Sequence, residues 1–244
     1  MSDRTSSRRV AIVDFGMGNL YSVKHACEHV GLSASITRDC DELLAASAVI
    51  LPGVGAFGVA MENLRALDLL APLRDIAASP TPFVGICLGM QLLMTESQEF
   101  GLHRGLGVIE GQVVRLKETP VETRNVKVPQ VGWNRIRQAP SRGNEGRAWP
   151  GTLLEAVADD EYMYFVHSFY CQPADDRATL SVTRYGAVEF ASTIQHGSVA
   201  GVQFHPERSG PQGLRIYRNL AGWIDRCHGE RQGAPEAGSP LRPA

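Results

Sequence analysis

The sequence predicts an α/β fold, a mostly parallel sheet with antiparallel additions. Two observations carry this. In the first half of the chain, short continuous apolar runs alternate with amphipathic stretches of helical period, the order expected when helices connect parallel strands. In the last third, the pattern changes to alternating strands joined by tight turns, the mark of successive hairpins added to the sheet.

Val10-Ala11-Ile12-Val13 is the first run, apolar throughout and so suited to a strand covered on both faces. Asn19 is placed to cap a helix whose apolar positions Leu20, Val23, Cys27 and Val30 lead to Gly31 as its stop. Ala34–Thr37 and Ala48–Leu51 are the second and third strands. Helices are expected over Val59–Leu64 and Leu67–Ala78, with Pro72 near a helix start. Phe83–Ile86 reads as a buried strand and Leu88–Met94 as the helix after it. Val108-Ile109 and Val113-Val114 suggest two strands with a turn at Glu110-Gly111. Pro129–Asn134 reads as a structured loop and strand start, and Ala139–Gly151 as a flexible surface excursion. Strands follow over Tyr162–Val166, Ala178–Tyr185, Val188–Gln195 and Val199–Phe204, then a helix from Pro211 to Ile224. The expected organisation is one domain over residues 9–227, between a polar N-terminal tail (1–8) and a disordered C-terminal tail (228–244).

Composition bounds the function. A hydrophobic content of 43% over 244 residues is enough for a sizeable core. The net charge of −2 gives no reason to expect nucleic acid or an anionic membrane surface as partner. No apolar run approaches membrane-spanning length, and the run from Val10 is broken at Asp14 before it could serve as a secretory core. The five cysteines are scattered and form no Cys-x-x-Cys pair, so no metal site is expected. A cytoplasmic protein with reduced thiols is the expectation.

Chemistry concentrates at Val84–Gln91. A strand running straight into a helix needs a sharp turn, and Gly85 and Gly89 flank Cys87 so that backbone can approach closely. This is the pattern of a nucleophile elbow with cysteine in place of serine. A helix N-terminus there would favour thiolate. The competing reading is a buried thiol acting as a small hydrophobe. The glycine-rich loop Pro52–Gly58 ends the third strand, on the side of the sheet where ligands bind. Backbone N–H groups of Gly53, Val54 and Leu88 could form an oxyanion hole, or the loop could be an ordinary turn. His205 ends an apolar strand, and Glu207 two residues on can share its side of an extended chain and orient the ring. Nucleophile, base and orienter then stand at one end of the sheet. His167 is a rival base without a carboxylate two residues on. Cys171 is a rival thiol without flanking glycines or a following helix. The Gly16-Met17-Gly18 stretch only loosely resembles a dinucleotide loop.

Taken together, Pro52–Gly55, Gly85–Gln91 and Phe204–Glu207 resemble the class I (triad) glutamine amidotransferase family. The opening Val13–Leu20, Pro129–Asn134, Phe165–Tyr170 and Glu207–Leu214 are similar to the branch that serves as glutaminase subunits of imidazole glycerol phosphate synthase. The resemblance implies a three-layer α/β glutaminase that hydrolyses L-glutamine through a γ-glutamyl thioester on Cys87, with His205 as acid and base and Glu207 holding it. It implies that Gly55, Gln91, Glu99, His167 and Ser168 contact glutamine and that no cofactor is used. It also implies a heterodimer with a (β/α)8-barrel cyclase that consumes the ammonia, with Gln130, Trp133 and Asn134 toward that partner. The sequence departs from the family's common pattern at Phe169, where tyrosine is frequent, and at Gln130-Val131, where His-Met is frequent. A glutaminase serving another synthase, such as that of pyridoxal phosphate, is disfavoured by the opening and Gly-Trp-Asn stretches. A silent binding module on the same fold is disfavoured by the intact Cys87, His205 and Glu207.

Overall fold

The computed structural model describes residues 8–117, 120–121, 124–140 and 149–233. The first half is built as the sequence indicates. Strand β1 (Arg9–Val13) leads to helix α1 (Leu20–His29), β2 (Ser33–Thr37), α2 (Cys40–Leu44), β3 (Ala48–Gly53), α3 (Phe57–Ala66) and α4 (Leu70–Ala78). Strand β4 (Phe83–Cys87) then runs without a break into α5 (Leu88–Leu92). Alternate residues of β1 enter opposite cores, which explains its unbroken apolar run. Val10 and Ile12 pack with Val23 and Cys27 of α1. Ala11 and Val13 pack with Phe57 and Leu64 of α3 and Leu73 of α4.

The remaining strands are β5 (Met94–Ser97), β6 (His103–Arg104), β7 (Ile109–Arg115), the short β8 (Pro120–Val121) and β9 (Arg124–Asn125), β10 (Gln130–Gln138), β11 (Glu161–His167), β12 (Phe169–Pro173), β13 (Thr179–Tyr185), β14 (Val188–His196) and β15 (Val199–Val202). Helix α6 (Gly210–Gly233) closes the described chain. The main sheet has nine strands in the order β11-β10-β13-β14-β15-β4-β3-β1-β2. From β15 to β2 every pairing is parallel, and from β15 to β11 every pairing is antiparallel. The sheet lies between two layers. On one face α1 and the Ile216, Tyr217, Leu220 and Ile224 side of α6 complete a core. On the other, α3, α4 and α5 pack together with a second sheet of order β12-β7-β5-β6.

Several local expectations need correction. Helix α5 stops at Leu92, and Met94, read as helical, opens β5. The turn expected at Glu110-Gly111 is absent: β7 is continuous, with Gly111 at φ +149° where an added Cβ would lie 2.4 Å from Gln172 O of the neighbouring β12. That neighbour, β12, was not foreseen. Asn19 precedes α1 without a side-chain cap bond, whereas Asp39 does cap α2 by accepting from Glu42 N at 3.0 Å.

The boundaries also shift. Arg8, placed in the frayed tail, forms a two-pronged pair with Asp225 of α6, at 2.9 and 2.5 Å. The excursion is anchored at its end by Trp149, 2% exposed, whose Nε1 donates to Leu180 O at 2.7 Å. Helix α6 continues past residue 227 to Gly233. The rest of the expected tails, 1–7 and 234–244, and the excursion's interior, 141–148, lie outside the described residues. Among the described residues no helix is long and apolar enough to cross a membrane.

Candidate active site

The Cys87 turn is strained in a specific way. Cys87 itself takes φ +54° and ψ −108°, a left-handed φ that a side-chain-bearing residue rarely adopts. The flanking glycines supply space, not the unusual dihedral. A Cβ on Gly85 would lie 2.6 Å from Gly89 O, and one on Gly89 would lie 1.7 Å from Leu51 O. Strand β4 can therefore turn into α5 only while both positions lack a side chain. The helix that follows has five residues, too short for its dipole to be the main support of a charge on the sulfur.

Cys87 borders a cavity of about 310 Å³. Val54, Gly55, Leu88, Gln91, Glu99, His167 and Ser168 line the same space, together with Pro129, Val166 and Phe169. All five residues expected to contact glutamine thus line one cavity. Of the expected oxyanion donors, Val54 and Leu88 reach the cavity, while Gly53 stays in β3, directly opposite Cys87 in register. A larger cavity, about 840 Å³, opens between the two sheets beside Gln112, Tyr170 and Glu189. It is lined by none of the expected site residues.

His205 meets Glu207 as expected, but by a different geometry. Residues Pro206–Arg208 form a 3-10 turn instead of an extended strand, and this turn carries Glu207 back to the ring. The His205 Nδ1 to Glu207 Oε1 distance is 2.8 Å, with the two side chains 6% and 2% exposed. The turn is pinned to β11: His205 N donates to Tyr164 O at 2.9 Å, Ser209 Oγ donates to His205 O at 2.7 Å, and Tyr164 N donates to Ser209 Oγ at 3.0 Å. With Nδ1 committed to Glu207, Nε2 is the ring atom left for the sulfur.

Burial by itself would lower the imidazole pKa. The Cys87 sulfur and the Glu207 carboxylate beside it outweigh that and raise it to about 10. A histidine with a folded pKa above its usual 6.5 contributes stability that is fully present below pH 6.5 and is lost as the pH climbs through about 10. Melting temperature should therefore fall between pH 6.5 and 10, and Glu207→Gln should flatten that slope; scans across this range check it. Tyr217, fully buried, is kept well above the ordinary phenol value by burial and then by the Glu207 charge, so it stays neutral next to the pair.

The rivals fare differently. His167 is pushed down to about 4 by burial, so it is neutral near pH 7. Its Nδ1–H donates to Phe169 O at 2.9 Å, which leaves the buried Nε2 as an acceptor. Cys171 is buried, and burial raises its thiol above the usual range. Glu99 reaches Phe57 N at 2.6 Å; burial raises its carboxyl, against the pull of that bond and of His103. The Gly16–Gly18 loop packs on the sheet, with Asn63 Nδ2 donating to Phe15 O at 3.1 Å, and an Asp14–Arg38 pair closes its base.

The expected partner-facing residues divide. Trp133 is 56% exposed. Asn134 spends its Nδ2 on Arg184 O at 3.0 Å. Gln130 is 2% exposed and points inward, since it stands opposite the buried His167 in the β10–β11 register, so it cannot serve as a surface contact. Two features carried no role in the sequence reading. One is the carbonyl of Phe169, acceptor for both His167 and Gln91. The other is Gln203, fully buried next to Cys87. A lone amide at the end of the apolar Val199–Phe204 stretch was the available signal for the latter.

The family model for glutamine amidotransferase class-I matches residues 11–221. The chain is 42% identical over 213 residues to the imidazole glycerol phosphate synthase subunit HisH of Moorella thermoacetica, covering 87% of this chain and 94% of that one. To the HisH subunit of Chloroflexus aurantiacus it is 41% identical over 216 residues, covering 88% and 96%. Among solved structures, PurLQS from Thermotoga maritima superposes with a TM-score of 0.63 at 18% identity, covering 88% of this chain and 98% of that one. The glutaminase domain of Trypanosoma brucei CTPS with bound acivicin gives 0.61 at 15% identity, covering 89% and 94%. At such identities these two speak for the fold, while the residues matched by the family model and the HisH subunits speak for descent. The chain belongs to the class-I glutamine amidotransferases, in the branch of the imidazole glycerol phosphate synthase HisH subunits.

Proposed function

We propose that this chain hydrolyses L-glutamine to glutamate and ammonia, and that the ammonia is consumed by a (β/α)8-barrel cyclase subunit making imidazole glycerol phosphate and an aminoimidazole carboxamide ribotide for histidine biosynthesis. The observation that carries the reading is the buried His205–Glu207 pair brought beside Cys87 on its strained turn.

The thiolate of Cys87 attacks the side-chain carboxamide carbon, forming the S–C bond. The carbonyl oxygen takes up negative charge in front of the Val54 and Leu88 backbone N–H groups. His205 delivers a proton to the departing nitrogen as the C–N bond breaks, and ammonia leaves. Water, deprotonated by His205, then cleaves the thioester, giving glutamate and restoring the thiol. Glu207 keeps the ring aimed through both halves. The reaction balances with water alone and calls for no cofactor.

The substrate's polar ends match the cavity wall. The Gln91 Nε2 is spent on Phe169 O and Gln203 Oε1, so its own Oε1 is left as an acceptor suited to the ammonium. Glu99 supplies a carboxylate on the same wall, and Gly55, Ser168 and His167 complete the set. Trp133 lies on a face suited to the cyclase, and the reaction is assigned to the cytoplasm.

Val54 lies just beyond the last β3–β4 register pair, Gly53 with Cys87, so no ladder holds it. Partner binding is then expected to set its N–H in place. Glutamate release should be slow for the chain alone and at least about tenfold faster with the cyclase and its nucleotide, one such factor being about 1.4 kcal/mol of alignment. Equal rates would refute the gating. Absence of glutamate release under both conditions would overturn the function.

A further inference from the structure

Four polar groups in a row behind the cavity have their directions fixed by one another. The carbonyl of Phe169 can only accept. Gln91 therefore turns its Nε2 toward it, at 2.9 Å. The same Nε2 lies 3.1 Å from the Gln203 side chain, which must present its Oε1. The Gln203 Nε2 is thereby forced toward Cys87 Sγ, 3.6 Å away. Flipping Gln91 would set its Oε1 against the Phe169 carbonyl, two acceptors face to face, and flipping Gln203 would set two N–H donors face to face, so the orientation follows from the chain's own atoms. Gln203 and Gln91 are 0% and 5% exposed, so water does not compete for these bonds.

We propose that Gln203 is a fixed hydrogen-bond donor to the Cys87 sulfur, with its polarity imposed by the Phe169 carbonyl through Gln91. The proposal rests on the reading of Cys87 as nucleophile and adds a residue to its machinery. The uncharged thiol has a second partner, Val166 O at 3.8 Å, to which only S–H can donate. When the proton leaves, that contact turns unfavourable, and the Gln203 N–H becomes the directed neutral donor that remains. A donor aimed at the charged form favours that form.

The other groups bearing on the sulfur are His205, held by Glu207, on the strand-end side, and Cys171 from β12. Cys171 is buried and kept protonated, and His167, on β11, is neutral near pH 7. His205 is thus the cationic support and Gln203 the neutral one. The two are separable by substitution.

The test uses the full chain and the pH dependence of Cys87 alkylation by iodoacetamide, read on the Cys87 peptide by mass spectrometry so that the other thiols do not interfere. Gln203→Glu keeps the acceptor for Gln91 but replaces the donor by a carboxylate, and loss of the donor and like-charge repulsion together should raise the half-alkylation pH by about one unit or more. Gln203→Met should raise it by about one unit and also raise the KM for glutamine, since Gln91 loses an anchor. A purely structural tie to Gln91 would leave the profile of the uncharged Gln203→Met variant unmoved, and that result overturns the proposal. In the native chain, the side-chain amide proton of Gln203 should shift in step with Cys87 ionisation by NMR; a resonance indifferent to it overturns the proposal even if both variants fail to fold. The alkylation profile needs no glutamine. Retained glutamine turnover in Cys87→Ala would sink the nucleophile reading and leave the Gln203 bond to be judged on its own.

Discussion

Cys87→Ala lowers glutamine-dependent synthesis by the cyclase complex by on the order of 10^5-fold, the scale of losing a nucleophile that works as a unit with its base. Added ammonium salts still support the same complex, because the substitution removes only the source of ammonia. The substitution is small and falls at a buried wall, so assembly with the cyclase should persist. The check is a pair of assays on one preparation, with glutamine in one and ammonium chloride in the other. Loss of both activities would point to a broken complex. Retention of the glutamine activity would remove Cys87 from the chemistry.

Gly89→Ala is expected to be the most damaging single substitution for folding. Its Cβ would stand 1.7 Å from Leu51 O and 2.8 Å from Leu51 C, which are backbone atoms inside the sheet and cannot move aside. Either β3 separates from β4 or α5 lifts away, and each breaks the buried packing around Leu51, Leu88 and Met90. A loss of at least about 4 kcal/mol follows, a large part of the stability of an ordinary domain. Gly31→Ala provides the control. Gly31 also has a left-handed φ, +84°, but an added Cβ meets nothing within 4 Å, so only the backbone strain of about 1 kcal/mol remains. Urea titration of the two variants should separate them clearly. Similar midpoints would show that the elbow tolerates far more relaxation than its geometry suggests.

The contrast between these glycines shows what was legible in the sequence. Spacing around Cys87 indicated a close backbone approach, because two side-chain-free positions at a strand–helix junction have few other uses. It did not indicate that the cysteine would carry the left-handed φ. Unbroken burial of Val10–Val13 on β1 was readable because both faces of a parallel strand are covered. The second sheet was harder. Met94–Ser97 follows a helix without Gly or Pro, so propensity alone extends the helix, and it is pairing with β7 that makes this segment a strand. His205 and Glu207 were matched by their spacing, but the pairing comes from a 3-10 turn that Pro206 starts, not from strand alternation. Gln130 was misplaced for a related reason. Its motif suggests a surface, and only the register with His167 shows which face of β10 it occupies.

The Phe169 carbonyl sets the direction of His167 on one side and of Gln91 and Gln203 on the other. Because that oxygen belongs to the main chain, drift at this position cannot erase it: any side chain at 169 leaves the same acceptor in place. Heritable variation in the site's internal orientation is thus confined to the side chains that read the carbonyl. A lineage is free to exchange the ring at 169 without re-solving the arrangement behind its thiol, whereas a change at Gln91 or Gln203 would need a compensating change at the other.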